Sequence, residues 1–210
     1  MTTKKGTFIV IDGGEGSGTT TVAKEIVQKF GWGAVYTREP GGSPYAEKIR
    51  ELVLSDDAKT SDVETQFALF WAARRDHIKK TIAPALAEGK VVICDRFDSS
   101  TYAYQLIAQE QVQLIELFWK IREHFLGEYV PNVYVLLDVS PETGIARAKG
   151  RNEDLNHFDK RKIDFHKSVN KGLKEFVITK AEHGSVVDAE QPLEKVIEDT
   201  MVIVQERLTQ

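Results

Sequence analysis

Residues 7–27 read TFIVIDGGEGSGTTTVAKEIV. The apolar run 8–11 leads into the glycine-rich stretch GGEGSGTTT at 13–21, and an amphipathic helical pattern begins at Val22. Gly13 and Gly18 meet the spacing of the phosphate-binding pattern G-x-x-x-x-G-K-[ST] between a strand and a helix, with Thr20 in its hydroxyl position. Thr19 stands where that pattern has lysine. Gly16 and Gly18 let the backbone wrap closely around an anion, and the N–H groups of Gly18, Thr19, Thr20 and Thr21 open a helix N-terminus toward it. Gly13, Gly16, Ser17, Gly18, Thr19, Thr20 and Thr21 are the expected contacts of a nucleotide's phosphates. A glycine turn with no ligand is the alternative, and three glycines at this spacing argue against it.

Outward from the loop, short continuous apolar runs recur at 34–37, 91–94, 133–137 and 185–187. Such runs suit parallel strands buried on both faces. Helical patterns separate them at 22–30, 45–54, 62–87, 111–125, 141–148 and 158–180, and a last one runs from about 192 to 208. This alternation predicts one α/β domain over 1–210, a five-stranded parallel sheet flanked by helices. Ligands of such sheets bind beyond the carboxyl ends of the strands. The turn cluster at 39–44 and the polar stretch 149–157 read as irregular.

The length suffices for a full core without metal or disulfide. A formal net charge of −4 speaks against binding nucleic acid through overall charge. The one cysteine, Cys94, lies in an apolar run and reads as a buried thiol. No apolar stretch is long enough for a bilayer and none reads as a secretory leader, so a reducing cytoplasm is expected and no membrane partner.

Three further groups could carry chemistry. Asp95-Arg96 follows the third run. There a carboxylate can hold Mg2+ through water and an arginine can clamp phosphate, unless the two form a solvated ion pair. Phe70 and Arg74 are one helical turn apart and share a face. They can stack a base and bond its edge, or be core packing plus a surface cation. Arg147, Lys149 and Arg151 either balance a helix dipole or close over a triphosphate in place of the missing lysine.

The segments FIVIDGGEGSGTTT, TREPGGSPYAEKIRELVL, FALFWAARRDHI, ICDRFDSSTYAYQ, VLLDVSPETGIARAKGR and VVDAEQPLEKV occur in this order. In them the chain resembles the thymidylate kinase family from near residue 6 to the C-terminal helix. The resemblance implies a P-loop nucleoside monophosphate kinase fold with a lid at about 149–157. It implies that Glu15 contacts the sugar 3′-hydroxyl of the acceptor and that Arg38 and Arg96 hold its phosphate. Phe70 then stacks the pyrimidine, Arg74 bonds its edge, and Ser100, Thr101 and Tyr104 border base and sugar. Arg147 and Gln191 flank the adenine of ATP. A homodimer packed through helices is implied as well.

Two departures stand out: Thr19 in the loop, and Asn156-His157-Phe158-Asp159 where bacterial relatives carry Asp-Arg-Ile-Glu. The expected reaction is in-line transfer of the ATP γ-phosphoryl group to dTMP or a close deoxyuridylate analogue. Thr20 binds Mg2+, Asp95 assists through water, and Arg96, Arg151 and Lys149 neutralise the transferring group. One well-placed cation is worth roughly three to five powers of ten in such reactions. Two rivals stay open: a non-catalytic nucleotide-binding relative acting through a partner, and a kinase for another deoxynucleoside monophosphate.

Overall fold

The computed structural model describes residues 5–150 and 157–209. Five strands form one parallel sheet: β1 Thr7–Gly13, β2 Ala34–Arg38, β3 Val91–Asp95, β4 Val133–Asp138 and β5 Gly184–Asp188. Their spatial order is β2-β3-β1-β4-β5. The central strand is covered on both faces because its side chains alternate between two cores. Phe8 and Val10 enter one, with the aromatic side chains of the helices; Ile9 and Ile11 enter the other. All four are essentially inaccessible to solvent, as the continuous apolar run required.

Helix α1 Thr19–Phe30 starts directly from the glycine loop. Helix α2 Pro44–Leu54 opens on a proline, whose fixed φ suits a first turn. Helix α3 Val63–His77 is capped by Asp62, whose carboxylate accepts from the Thr65 N–H at 2.9 Å. It runs on through the wider π-type turn Ile78–Ile82 into α4 Ala83–Ala87. Sequence predicts one uninterrupted helix here. Pro84 has no N–H and crowds the carbonyl four residues back, so the coil widens ahead of it.

Helix α5 Asp98–Thr101 and its continuation Tyr102–Ile107 line the mouth of the sheet; hydrophobic periodicity does not reveal them. Helix α6 Ile115–Leu126 begins after a tighter turn, Val112–Leu114. Helix α7 Pro141–Lys149 is capped by Ser140. Lys149 therefore ends a helix rather than starting the irregular stretch. Helix α8 Ile163–Glu175 starts later than the pattern from 158 suggests. Residues 157–160 form a turn instead, because the aromatic side chain of Phe158 is drawn in against Tyr104 and Phe165. Helix α9 Leu193–Thr209 closes the chain. Among the described residues no helix is long and apolar enough to cross a membrane.

Candidate active site

A cleft of about 1070 Å³ lies beyond the carboxyl ends of β1, β2 and β3. The glycine loop forms one end. Gly16 and Gly18 take positive φ values of 67° and 88°. A Cβ at Gly16 would strike the Gly144 carbonyl of α7, and one at Gly144 would strike the Glu15 carbonyl. The first amides of α1 have no intrahelical acceptors, so they face the cleft as an anion cradle. Thr20 Oγ1 donates to Asp95 Oδ2 at 2.5 Å, and the Tyr36 hydroxyl reaches the same oxygen at 3.4 Å. Burial, with Asp95 next, pushes the Tyr36 pKa up to about 12, so it stays a donor. Thr19 is buried beside this pair.

Arg96 occupies the middle of the cleft. Its backbone is left-handed, with φ 67°. Its guanidinium donates to the Gly13 carbonyl at 2.8 Å and lies 3.6 Å from the Asp12 carboxylate. It also reaches the hydroxyls of Tyr104 at 3.4 Å and Ser100 at 3.5 Å. Burial works against its charge, but Tyr104, Asp12, Asp95 and Glu15 outweigh it and the net shift is upward. Asp12 is raised by its own burial, against the pull of Arg96 and the hydroxyls of Ser99 and Ser100. Arg38, paired with Glu47 at 3.0 Å, and Glu15 line the same space.

The far end is built on α3. Trp71 packs edge-on against Phe118 of α6, with ring centroids 5.4 Å apart, which fixes the helix. Phe70 and Arg74 of the next turn face the cleft. Arg74 is only 2% exposed, so it is not the surface cation that pattern alone allowed. Its Nε donates to Glu39 at 2.8 Å, and one terminal nitrogen donates to Thr101 at 3.0 Å. Glu39 also binds His77 Nδ1 at 3.0 Å, while His77 Nε2 lies 2.6 Å from the Thr37 hydroxyl. Donation from Nδ1 to the carboxylate leaves Nε2 to accept from Thr37. Gly42, φ 85°, has no room for a side chain because His77 fills that space.

Among the described residues, four buried polar atoms on these walls lack a partner: Ser17 Oγ and Asp95 Oδ1 at the loop end, Arg74 Nη1 and Gln105 Nε2 at the far end. Each such atom costs about 1–3 kcal/mol until something bonds it. Gln105, Arg50 and Tyr36 escaped the reading of the sequence, and Glu39 was placed at a strand end without a role. Gln105, Glu39 and Arg50 lie within the family-like segments, but what Glu39 bonds is distant in the chain. Arg50, bonded to the Pro40 carbonyl at 2.7 Å, looks like any exposed helical arginine in sequence.

The remaining expected residues lie apart or unseen. Arg147 donates to the Ala189 carbonyl at 2.8 Å, beside Gln191, which caps the same loop through the Asp188 carbonyl at 3.1 Å. Lys149 is exposed and does not line the cleft. Arg151 and Asn156 lie outside the described residues, as does most of the expected lid. Its last residue, His157, bonds the Val53 carbonyl at 3.0 Å and overhangs the cleft with Phe158.

The family profile described as thymidylate kinase matches residues 11–200. The chain belongs to the thymidylate kinase family. It is therefore a nucleoside monophosphate kinase, an ATP-dependent phosphotransferase. Thymidylate kinase of Clostridium novyi (strain NT) is 38% identical over 199 residues, covering 93% of this chain and 96% of that protein. Thymidylate kinase of Geobacillus thermodenitrificans (strain NG80-2) is 37% identical over 207 residues, covering 97% and 91%. The crystal structure of thymidylate kinase from Ehrlichia chaffeensis superposes with a TM-score of 0.75 at 25% identity, covering 95% of this chain and 99% of that one.

Proposed function

We propose that this protein transfers the γ-phosphoryl group of ATP to the 5′-phosphate of dTMP or a close deoxyuridylate analogue. The observation that carries the reading is the distribution of unpartnered polar atoms along one cleft. A hydroxyl and a carboxylate oxygen wait beside an anion loop, and a guanidinium and an amide wait beside an aromatic ring. In this reading Phe70 stacks the pyrimidine while Arg74 and Gln105 bond its edge. Thr101 and Tyr104 border base and sugar, and Glu15 takes the 3′-hydroxyl. Arg38, Arg50 and Arg96 bind the acceptor phosphate. Arg147 and Gln191 flank the adenine.

The Thr20–Asp95 pair fits Mg2+. Asp95 keeps one oxygen free, and among the described residues there is no cluster of three or more metal-ligating side chains. That is the sparse protein contribution expected for an ion that keeps water and binds phosphate. When bound, the ion neutralises charge on the phosphate oxygens. The protein's own part is position and electrostatics. The amides of α1 hold the donor phosphates, and Arg96 stands between donor loop and acceptor, where charge develops. Arg151 and Lys149 approach when residues 149–157 close as a lid. Two chains pack through helices as a homodimer, and the buried free thiol of Cys94 supports work in a reducing cytoplasm.

The test is ADP release with Mg2+ and ATP across a panel of nucleoside monophosphates at one concentration. dTMP or another 5-substituted deoxyuridylate should give the highest rate. Release no higher than without acceptor, for every member, would leave only a non-catalytic nucleotide binder. A purine preference would move the assignment to another deoxynucleotide.

A further inference from the structure

The cleft contains five lysines and arginines among the described residues, and four of them are already held in place by a protein partner. Arg38 is paired with Glu47, Arg50 with the Pro40 carbonyl, Arg74 with Glu39, and Arg96 with the Gly13 carbonyl. The fifth is Lys24. Its ammonium lies 5.5 Å from the centroid of the Tyr36 ring and has no hydrogen bond or ion pair among the described residues. The side chain is exposed, and its stem is free to swing.

Lys24 is four residues beyond Thr20 on α1, so the two share a face. Helical side chains lean toward the N-terminus, which sends the Lys24 stem back toward the loop mouth. The ring beneath its ammonium belongs to the Tyr36 hydroxyl that meets Asp95, and Asp95 holds Thr20. One uncommitted positive charge thus sits beside the place where Thr20 and the loop amides meet the nucleotide. Loop and charge are separate parts in this chain: Thr19 keeps the backbone, and Tyr36 parks a cation next to it.

We infer that Lys24 supplies to the ATP γ-phosphate the positive charge that Thr19 does not, leaving the Tyr36 ring to do so. Lys24 serves as a binding and charge-neutralising group; bonds break and form only between the donor phosphate and the acceptor oxygen. The inference rests on the kinase reading above and assigns a residue that the loop motif does not contain. In the open site the cation rests on the aromatic face, where its attraction is modest. A triphosphate beside Thr20 offers oxygens instead, and a charge-assisted bond there is stronger.

The test uses the full-length protein with Mg2+ and the variants Lys24→Met and Lys24→Arg. Calorimetry reads the affinities for ADP and for the β,γ-imido analogue of ATP. In Lys24→Met the ratio of analogue to ADP affinity should fall about tenfold or more, the size of one lost charge-assisted contact. Lys24→Arg should keep most of the ratio. Turnover with dTMP should fall about a hundredfold in Lys24→Met, with the KM for dTMP little changed. An unaltered ratio in Lys24→Met overturns the inference, and so does a wild-type ratio of one. The two readings fail separately. Wild-type protein that binds both nucleotides but transfers nothing removes the kinase reading, while the affinity ratio still decides Lys24. The site is exposed, so the thermal midpoint of each variant should stay at the wild-type value.

Discussion

Phe70 and Arg74 share one face of α3 but answer to different forces. Phe70 is held by packing and only 9% exposed, and the part of its ring that lines the cleft is what a base can cover. Removing the ring should weaken dTMP binding by about 1–3 kcal/mol, the usual worth of stacking one base. Calorimetry of Phe70→Ala checks this; an equal loss for the ATP analogue would make the ring plain core. Arg74 is held by charge. Glu39 is its anchor, and His77, itself held by Thr37, orients that carboxylate. Unpairing such a buried ion costs about 3–5 kcal/mol, so Glu39 is structural toward Arg74 even though it never needs to touch a ligand. The helical spacing put Phe70 and Arg74 on one face already in the sequence. It could not distinguish a wall of the cleft from a solvated rim, because Glu39 is 35 residues from Arg74 and nothing local marks the pair.

At the scale of elements, the donor end combines the loop and the first turn of α1, to which a proposed lid at 149–157 is added. Lys149 lies at the end of α7, outside the lining of the cleft, so it and Arg151 both depend on a closing lid to reach the phosphates. Arg151→Ala should therefore lower turnover by orders of magnitude with dTMP binding nearly unchanged, the mark of a contact made in the transition state. Thr19→Lys should restore part of the rate in that background if both charges serve the same phosphate oxygens. A double-mutant cycle on kcat measures the coupling. Strict additivity would show that Arg151 serves other oxygens than the loop position does, leaving Lys24 alone in the place of the loop lysine. Strands were the most legible elements, since burial on both faces leaves a continuous apolar run. The π-type turn before Pro84 was not, and the helix at 98–107 was legible only through the family resemblance. The first is a local adjustment to one imino acid; the second carries polar groups inward, to Asp12 and Arg96, beside its buried Tyr102, Ala103 and Leu106, which blurs the periodicity.

For the molecule as a whole, stability toward acid has a definable contributor. His166 of α8 is buried, and among the described residues neither ring nitrogen makes a hydrogen bond of good geometry. Burial holds its pKa below the ordinary 6.5, against the pull of Glu15. Below pH 6.5 the unfolded chain takes up a proton that the folded one refuses, so stability is lost as pH falls through that window and is fully present above it. Urea midpoints should drop between about pH 7.5 and 5.5 in the wild type and drop less in His166→Leu. Equal drops in both would assign the loss to other groups. The alternation of strands and helices already implied the parallel sheet, but its order β2-β3-β1-β4-β5 did not follow from it, because pairing is a property of distant segments. The meeting of Gly16 with Gly144 was equally hidden, and it matters most for what this chain has done to its loop. Each residue's carbonyl or its neighbour's fills the space that a side chain on the other would need. The curvature of the anion cradle is thus moulded from outside, by the flank of α7, and position 19 takes no part in the casting. Charge at that position is a detachable component: it can be exchanged for a hydroxyl and re-supplied from a neighbouring element while the mould holds its form.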